Sequence, residues 1–148
     1  MDKTALFHRF VTFITAVHHA QHEMAKDVKF DAITPLQYSI LEYIAVSQPV
    51  TLSEISDCQH MSMPNTSREL KKLTEKNLCE KFEVAEDRRK QYIRLSEQGQ
   101  TMMNNAFASI KGRFLQRLKD TSEGELEEIQ HALDVLQSKF FHSGKSPQ

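Results

Sequence analysis

Apolar residues recur at three- and four-residue steps near the start of the chain: Leu6, Phe10, Phe13, Ile14, Val17, Ala20 and Met24. That period predicts a long amphipathic first helix, ending near residues 27–31. A second helix opens at Thr34 and Pro35. Thr34 is an N-cap residue, Pro35 suits the first helical position, and Gln37 is placed to close a capping box. Its buried stripe is Leu36, Ile40, Leu41, Ile44 and Ala45, and Pro49 bars its continuation. Thr51, with Glu54 after it, starts a short third helix that turns Leu52 and Ile55 inward. Residues 58–61 break the pattern. Ser62 then caps a fourth helix with Pro64 in its first turn. Leu70, Leu73 and Leu78 form its inner face; Asn65, Thr66, Arg68, Lys71 and Lys72 form its outer face.

After Leu78 the period shortens. Residues 79–84 alternate, with Phe82 and Val84 on one side, and residues 91–95 are rich in strand formers. The charged segment 85–90 between them makes the tip of a hairpin. Ser96 caps the next helix, which carries Met103, Phe107, Ile110, Phe114 and Leu118. Ser122 and Glu125 form another helix start. Leu126, Ile129, Leu133, Leu136 and Phe140 follow at alternating three- and four-residue steps, a seam that wants a partner helix. The tail, 143–148, is expected to be disordered. The order predicts a mainly α (α+β) fold: a winged helix-turn-helix at 31–96, an N-terminal dimerisation helix at 1–30 and C-terminal dimerisation helices at 97–142.

Composition agrees with one mainly helical domain of 148 residues. Gly 4 and Pro 4 are few for a turn-rich β protein. No apolar run reaches the length of a membrane span. The first 24 residues lack the apolar core of a signal peptide. With Cys58 and Cys79 in no CxxC pair, this points to a reducing cytoplasm and free thiols.

The net charge of −1 gives no hint of nucleic acid, but its distribution does. Over 61–94, Arg68, Lys71, Lys72, Lys76, Lys81, Arg88, Arg89, Lys90 and Arg94 outnumber Glu69, Glu75, Glu80, Glu83, Glu86 and Asp87. A basic middle between acidic ends is a local footprint for phosphate. The fourth helix begins with short polar groups, as a recognition helix entering a major groove does. Asn65 is suited to adenine and Arg68 to guanine or a phosphate. Lys71 and Lys72 suit backbone contacts, and Arg88 and Arg89 suit a narrow minor groove.

Five segments carry a family resemblance: Pro35-Leu36-Gln37-Tyr38-Ser39-Ile40-Leu41, Leu52-Ser53-Glu54-Ile55, Ser67-Arg68-Glu69-Leu70-Lys71-Lys72-Leu73, Asp87-Arg88-Arg89 and Leu95-Ser96-Glu97-Gln98-Gly99. In this order and spacing the chain resembles the multiple antibiotic resistance regulator (MarR) family. The resemblance implies a cytoplasmic homodimer of winged-helix subunits that binds double-stranded DNA pseudo-palindromes, more often as a repressor than an activator. It implies release by a small phenolic or other effector. DNA-contacting residues would be Ser62, Pro64, Asn65, Thr66, Arg68, Lys71, Lys72, Asp87, Arg88 and Arg89, with Asp87 bracing the wing arginine or its backbone. Pro64 departs from the small flexible residue found in many relatives. The dimer interface would include Leu6, Phe10, Phe114, Leu118, Ile129, Leu133, Leu136 and Phe140. Phe13, Val17 and Tyr38 are candidates to line an effector cleft.

Other readings compete. His18 and His22 are four apart beside Glu23, a spacing able to chelate zinc, but exposed helix histidines are far commoner. No metal and no cofactor are expected. Cys58 and Cys79 read as buried or half-buried residues, with thiol sensing as an alternative. A winged-helix interaction module that no longer reads DNA is a further alternative, given acidic Glu80, Glu83 and Glu86. There is no Gly-rich phosphate loop, HExxH or GxSxG, so an enzyme is not expected.

Overall fold

A computed structural model describes residues 1–30 and 32–142. The tail expected to be disordered lies outside them. Among the described residues the chain forms, in order, α1 (Lys3–Ala25), α2 (Pro35–Ser47), β1 (Val50–Thr51), α3 (Leu52–Gln59), α4 (Met63–Glu75), β2 (Cys79–Val84), β3 (Asp87–Leu95), α5 (Glu97–Arg117) and α6 (Glu123–Lys139). The strands make one antiparallel sheet of order β1-β3-β2. This is the expected mainly helical winged-helix architecture.

Local chemistry sets the helix starts. Asp2 caps α1, accepting from Thr4 N at 2.9 Å. At α2 both halves of the capping box form: Thr34 Oγ1 accepts from Gln37 N, and Gln37 Oε1 accepts from Thr34 N, each at 3.1 Å. At α3 only the forward half forms. Thr51 Oγ1 accepts from Glu54 N, but the Glu54 carboxylate accepts from the Thr51 hydroxyl rather than from its backbone. The Thr51 backbone belongs to β1, paired with Tyr92.

The chain falls into two compact units, Met1–Gly112 and the remainder from Arg113. The core of the first is built from Ile40, Leu41 and Ile44 of α2, Ile55 of α3, Leu70 and Leu73 of α4, Ile93 and Leu95 of β3 and Met103 of α5. In the second unit no residue of α6 is buried.

Several expectations need correction. Leu36 is exposed, because it precedes the inward turn of α2; Gln37 takes the buried position instead. Helix α3 runs on through Cys58 and Gln59. The wing tip is only the turn at Ala85 and Glu86, so Arg88, Arg89 and Lys90 belong to β3. Leu118 lies just past the end of α5, and Phe140 is the C-cap of α6.

A tight node joins α4, the wing and α5. Asn77 takes the left-handed conformation at φ 61°. Ser96 Oγ donates to Asn77 O at 2.6 Å and accepts from Gly99 N at 2.9 Å, while Ser96 N donates to Leu78 O at 3.1 Å. A side chain at residue 99 would collide with the Leu78 carbonyl oxygen.

Candidate nucleic-acid interface

Helices α3 and α4 form the helix-turn-helix. Its turn is closed by His60 in the left-handed conformation (φ 53°, ψ 45°). His60 N donates to Asp57 O at 3.3 Å and Met61 N to Ser56 O at 3.0 Å, which satisfies two of the carbonyls in the last turn of α3. Ser62 caps α4, its Oγ accepting from Asn65 N at 3.2 Å, and Pro64 fits the first turn because its missing N–H needs no partner there. Leu70 and Leu73 anchor the helix in the core. The opposite face leaves Pro64, Asn65, Ser67, Arg68, Lys71 and Lys72 exposed.

Thr66 is the exception among the expected contacts. It is fully buried, with Oγ1 donating to Ser62 O at 2.9 Å. A threonine one turn into a helix can return its hydroxyl to the backbone, and its methyl then faces the core. It is not available to a base. Pattern reading also passed over Met63, which is 46 % exposed at the start of α4 with its sulfur 3.1 Å from the Ser56 hydroxyl. An apolar group at this place is suited to a thymine methyl.

In the wing, Val84 pairs with Asp87 after an irregularity between Glu83 and Val84. Asp87 is half-buried, and Arg88, Arg89 and Lys90 are exposed. Arg94 is engaged elsewhere: its Nε donates to Glu80 Oε1 at 2.7 Å, and its guanidinium stands 4.3 Å from the centre of the Phe82 ring. Phe82 in turn faces Tyr92 at 5.9 Å.

Within the first unit, α1, α2 and α5 line a cavity of about 550 Å³, whose walls include His18, His22, Tyr38, Glu42 and Phe107. Tyr38 is among its lining residues. Phe13 and Val17 are not among its lining residues; Phe13 is exposed and Val17 half-buried on α1. Burial, and after it the Glu42 carboxylate, push the Tyr38 phenol up to about pKa 12. Among the described residues no group of three or more His, Cys, Asp or Glu is placed to hold a metal ion. Cys58 is exposed, contrary to expectation, because it lies on the outer face of α3. Cys79 is buried, and burial pushes its thiol pKa up.

Of the remaining candidates, Leu6, Phe114, Ile129, Leu133 and Phe140 are exposed, and Phe10, Leu118 and Leu136 are half-buried. No helix among the described residues is long and apolar enough to cross a membrane.

Residues 33–90, from the start of α2 to the wing arginines, match the MarR family model. The HTH-type transcriptional regulator TcaR of Staphylococcus aureus (strain Newman) is 25% identical over 126 residues, which cover 84% of this chain and 83% of TcaR. A MarR family protein from Bacillus stearothermophilus superimposes with a TM-score of 0.78 at 15% identity, covering 95% of this chain and 99% of that one. Streptococcus pneumoniae FabT, solved in complex with DNA, gives 0.64 at 18% identity, covering 93% and 96%. At those identities the two structures speak to fold, and the family match falls on the helix-turn-helix and wing. The chain is thus similar to the MarR family over its helix-turn-helix and wing, and it shares the winged-helix fold of the solved members.

Proposed function

We propose that this protein is a homodimeric repressor that binds a pseudo-palindromic operator and is released from it by a small-molecule effector. The observation that carries the DNA part is the outer face of α4, where Asn65, Arg68, Lys71 and Lys72 stand free of the core. Asn65 and Arg68 read base edges in the major groove; Ser62 and Pro64 bring the start of the helix to it. Lys71 and Lys72 hold phosphates, and Arg88 and Arg89 enter the flanking minor groove. FabT, a structural neighbour, has been solved with DNA, which supports this reading.

Exposed apolar side chains support the dimer. Leu6 is 52 % and Leu133 59 % exposed, beyond what scattered surface leucines need. A second copy covers them, and its two-fold axis matches a two-fold site. The cavity beside Tyr38 and Glu42 receives the effector, which acts through differential affinity for two conformations. The region 31–96 serves as the DNA-reading part, and 1–30 with 97–142 as the dimerising part.

The experiment is selection of random duplex DNA by the purified protein near physiological salt, followed by sequencing. A pseudo-palindrome with half-sites about ten base pairs apart is the expected result. Arg68→Ala and Arg89→Ala should each lose DNA binding while sedimentation still reports a dimer. Recovery of no sequence above background, with or without added extract of small molecules, overturns the proposal.

A further inference from the structure

Gln37 is polar, yet only 3 % exposed at the start of α2. Its side-chain oxygen accepts from Thr34 N at 3.1 Å and from Lys76 Nζ at 3.2 Å. Its side-chain nitrogen donates to Glu69 Oε2 at 3.1 Å. The other Glu69 oxygen accepts from Lys72 Nζ at 3.4 Å, and Lys76 Nζ also donates to Ala32 O. Glu69 lies in α4 and Lys76 is its C-cap. Seven residues is about two helical turns, so the two side chains leave α4 on the same side. One buried amide grips that helix at both points.

Leu70 and Leu73 also hold α4, but apolar packing is non-directional and leaves a helix some freedom to roll. Hydrogen bonds are directional and remove that freedom. Base reading needs several side chains to meet base edges together, so a small roll of α4 is costly. We infer that Gln37 is a positioning residue for base recognition, fixing the rotation of α4 so that Asn65 and Arg68 reach their bases in register. This rests on the DNA-binding reading above.

The test uses the full chain and two probes: the consensus duplex that the wild type selects, and a scrambled duplex of the same composition. The ratio of the two affinities cancels the sequence-independent attraction to phosphate, including any change in the charge of α4. Q37E keeps an acceptor for Thr34 and Lys76 but sets a carboxylate against Glu69. It should lower the ratio about tenfold. In Q37E/E69Q the amide and carboxylate change places, the hydrogen bond reforms with its polarity reversed, and the ratio should return to within about twofold of wild type. E69A breaks the same link from α4, outside the core, so it tests the idea even where Q37E fails to fold. A melting temperature that falls while the ratio stands would show a merely structural role and overturn the inference, as would a double variant no better than Q37E. A wild type that selects no sequence overturns the DNA-binding reading and this inference with it. One that selects a site while E69A keeps the full ratio overturns this inference alone.

Discussion

The Asp87 carboxylate accepts a hydrogen bond from the backbone N–H of Arg89 at 3.0 Å. Short Asp side chains stabilise turns in this way, bonding to their own backbone two residues on. The bond fixes the backbone at the first residues of β3 and so the direction in which Arg89 leaves it. Asp87→Ala should fray the tip and weaken binding to the selected duplex about fivefold. Global stability should change by no more than about 0.5 kcal/mol, since the site lies outside the core. Fluorescence anisotropy and a thermal melt on the same samples check both numbers, and unchanged affinity would show that the brace is dispensable.

Gly99 has no room for a side chain against the Leu78 carbonyl oxygen. The obstacle is backbone, held by the bond from Ser96 N, so it has no easy way to move aside. Gly99→Ala should destabilise by ~3 kcal/mol, at the upper end for overpacking. Urea unfolding followed by circular dichroism measures this. Gly112→Ala, where nothing lies within 4 Å, should be neutral or slightly stabilising.

The two thiols should separate kinetically. Only the thiolate reacts, and burial both hides Cys79 and raises its pKa. An aromatic disulfide reagent should therefore titrate one thiol quickly and the second slowly. Cys58→Ser should abolish the fast phase. Two equal rates would contradict the placement of Cys79.

Tyr38 gives a pH signature. Its pKa is raised from 10.0 to about 12, so the folded state holds the phenolic proton more tightly than the unfolded chain does. The resulting stabilisation is complete below pH 10 and is lost as pH rises toward 12. Ultraviolet titration should show a phenol that ionises late, and Tyr38→Phe should remove that step. A variant that leaves the titration curve unchanged in shape would contradict the burial of the Tyr38 phenol.

Much of this arrangement was legible because local signals and global fold agree. Thr34, Pro35 and Gln37 announced α2; Ser62 and Pro64 announced α4; the change of period after Leu78 announced the wing. What the sequence does not reveal depends on partners distant along the chain. Strand β1 has two residues, too short to show any period, and exists because β3 lies beside it. The burial of Gln37 answers to Glu69 and Lys76, more than thirty residues away, and nothing in the run Pro35-Leu36-Gln37 marks the amide as the inward residue. Thr66 looked like a polar surface position because composition does not show which way a hydroxyl turns. Cys58 looked buried because cysteine usually is, although three residues after inward Ile55 it takes the outer side of α3.

Thr51 belongs to two structures at once: its backbone pairs with Tyr92 in the sheet, and its side chain caps α3. The wing is therefore fastened to the helix-turn-helix before any duplex arrives. A reader assembled beforehand loses little conformational entropy on docking, so encounter is not delayed by folding. The speed of association is then governed by diffusion and long-range charge. Adding salt should slow the on-rate, whereas lengthening the Ala85–Glu86 turn should chiefly shorten the residence time.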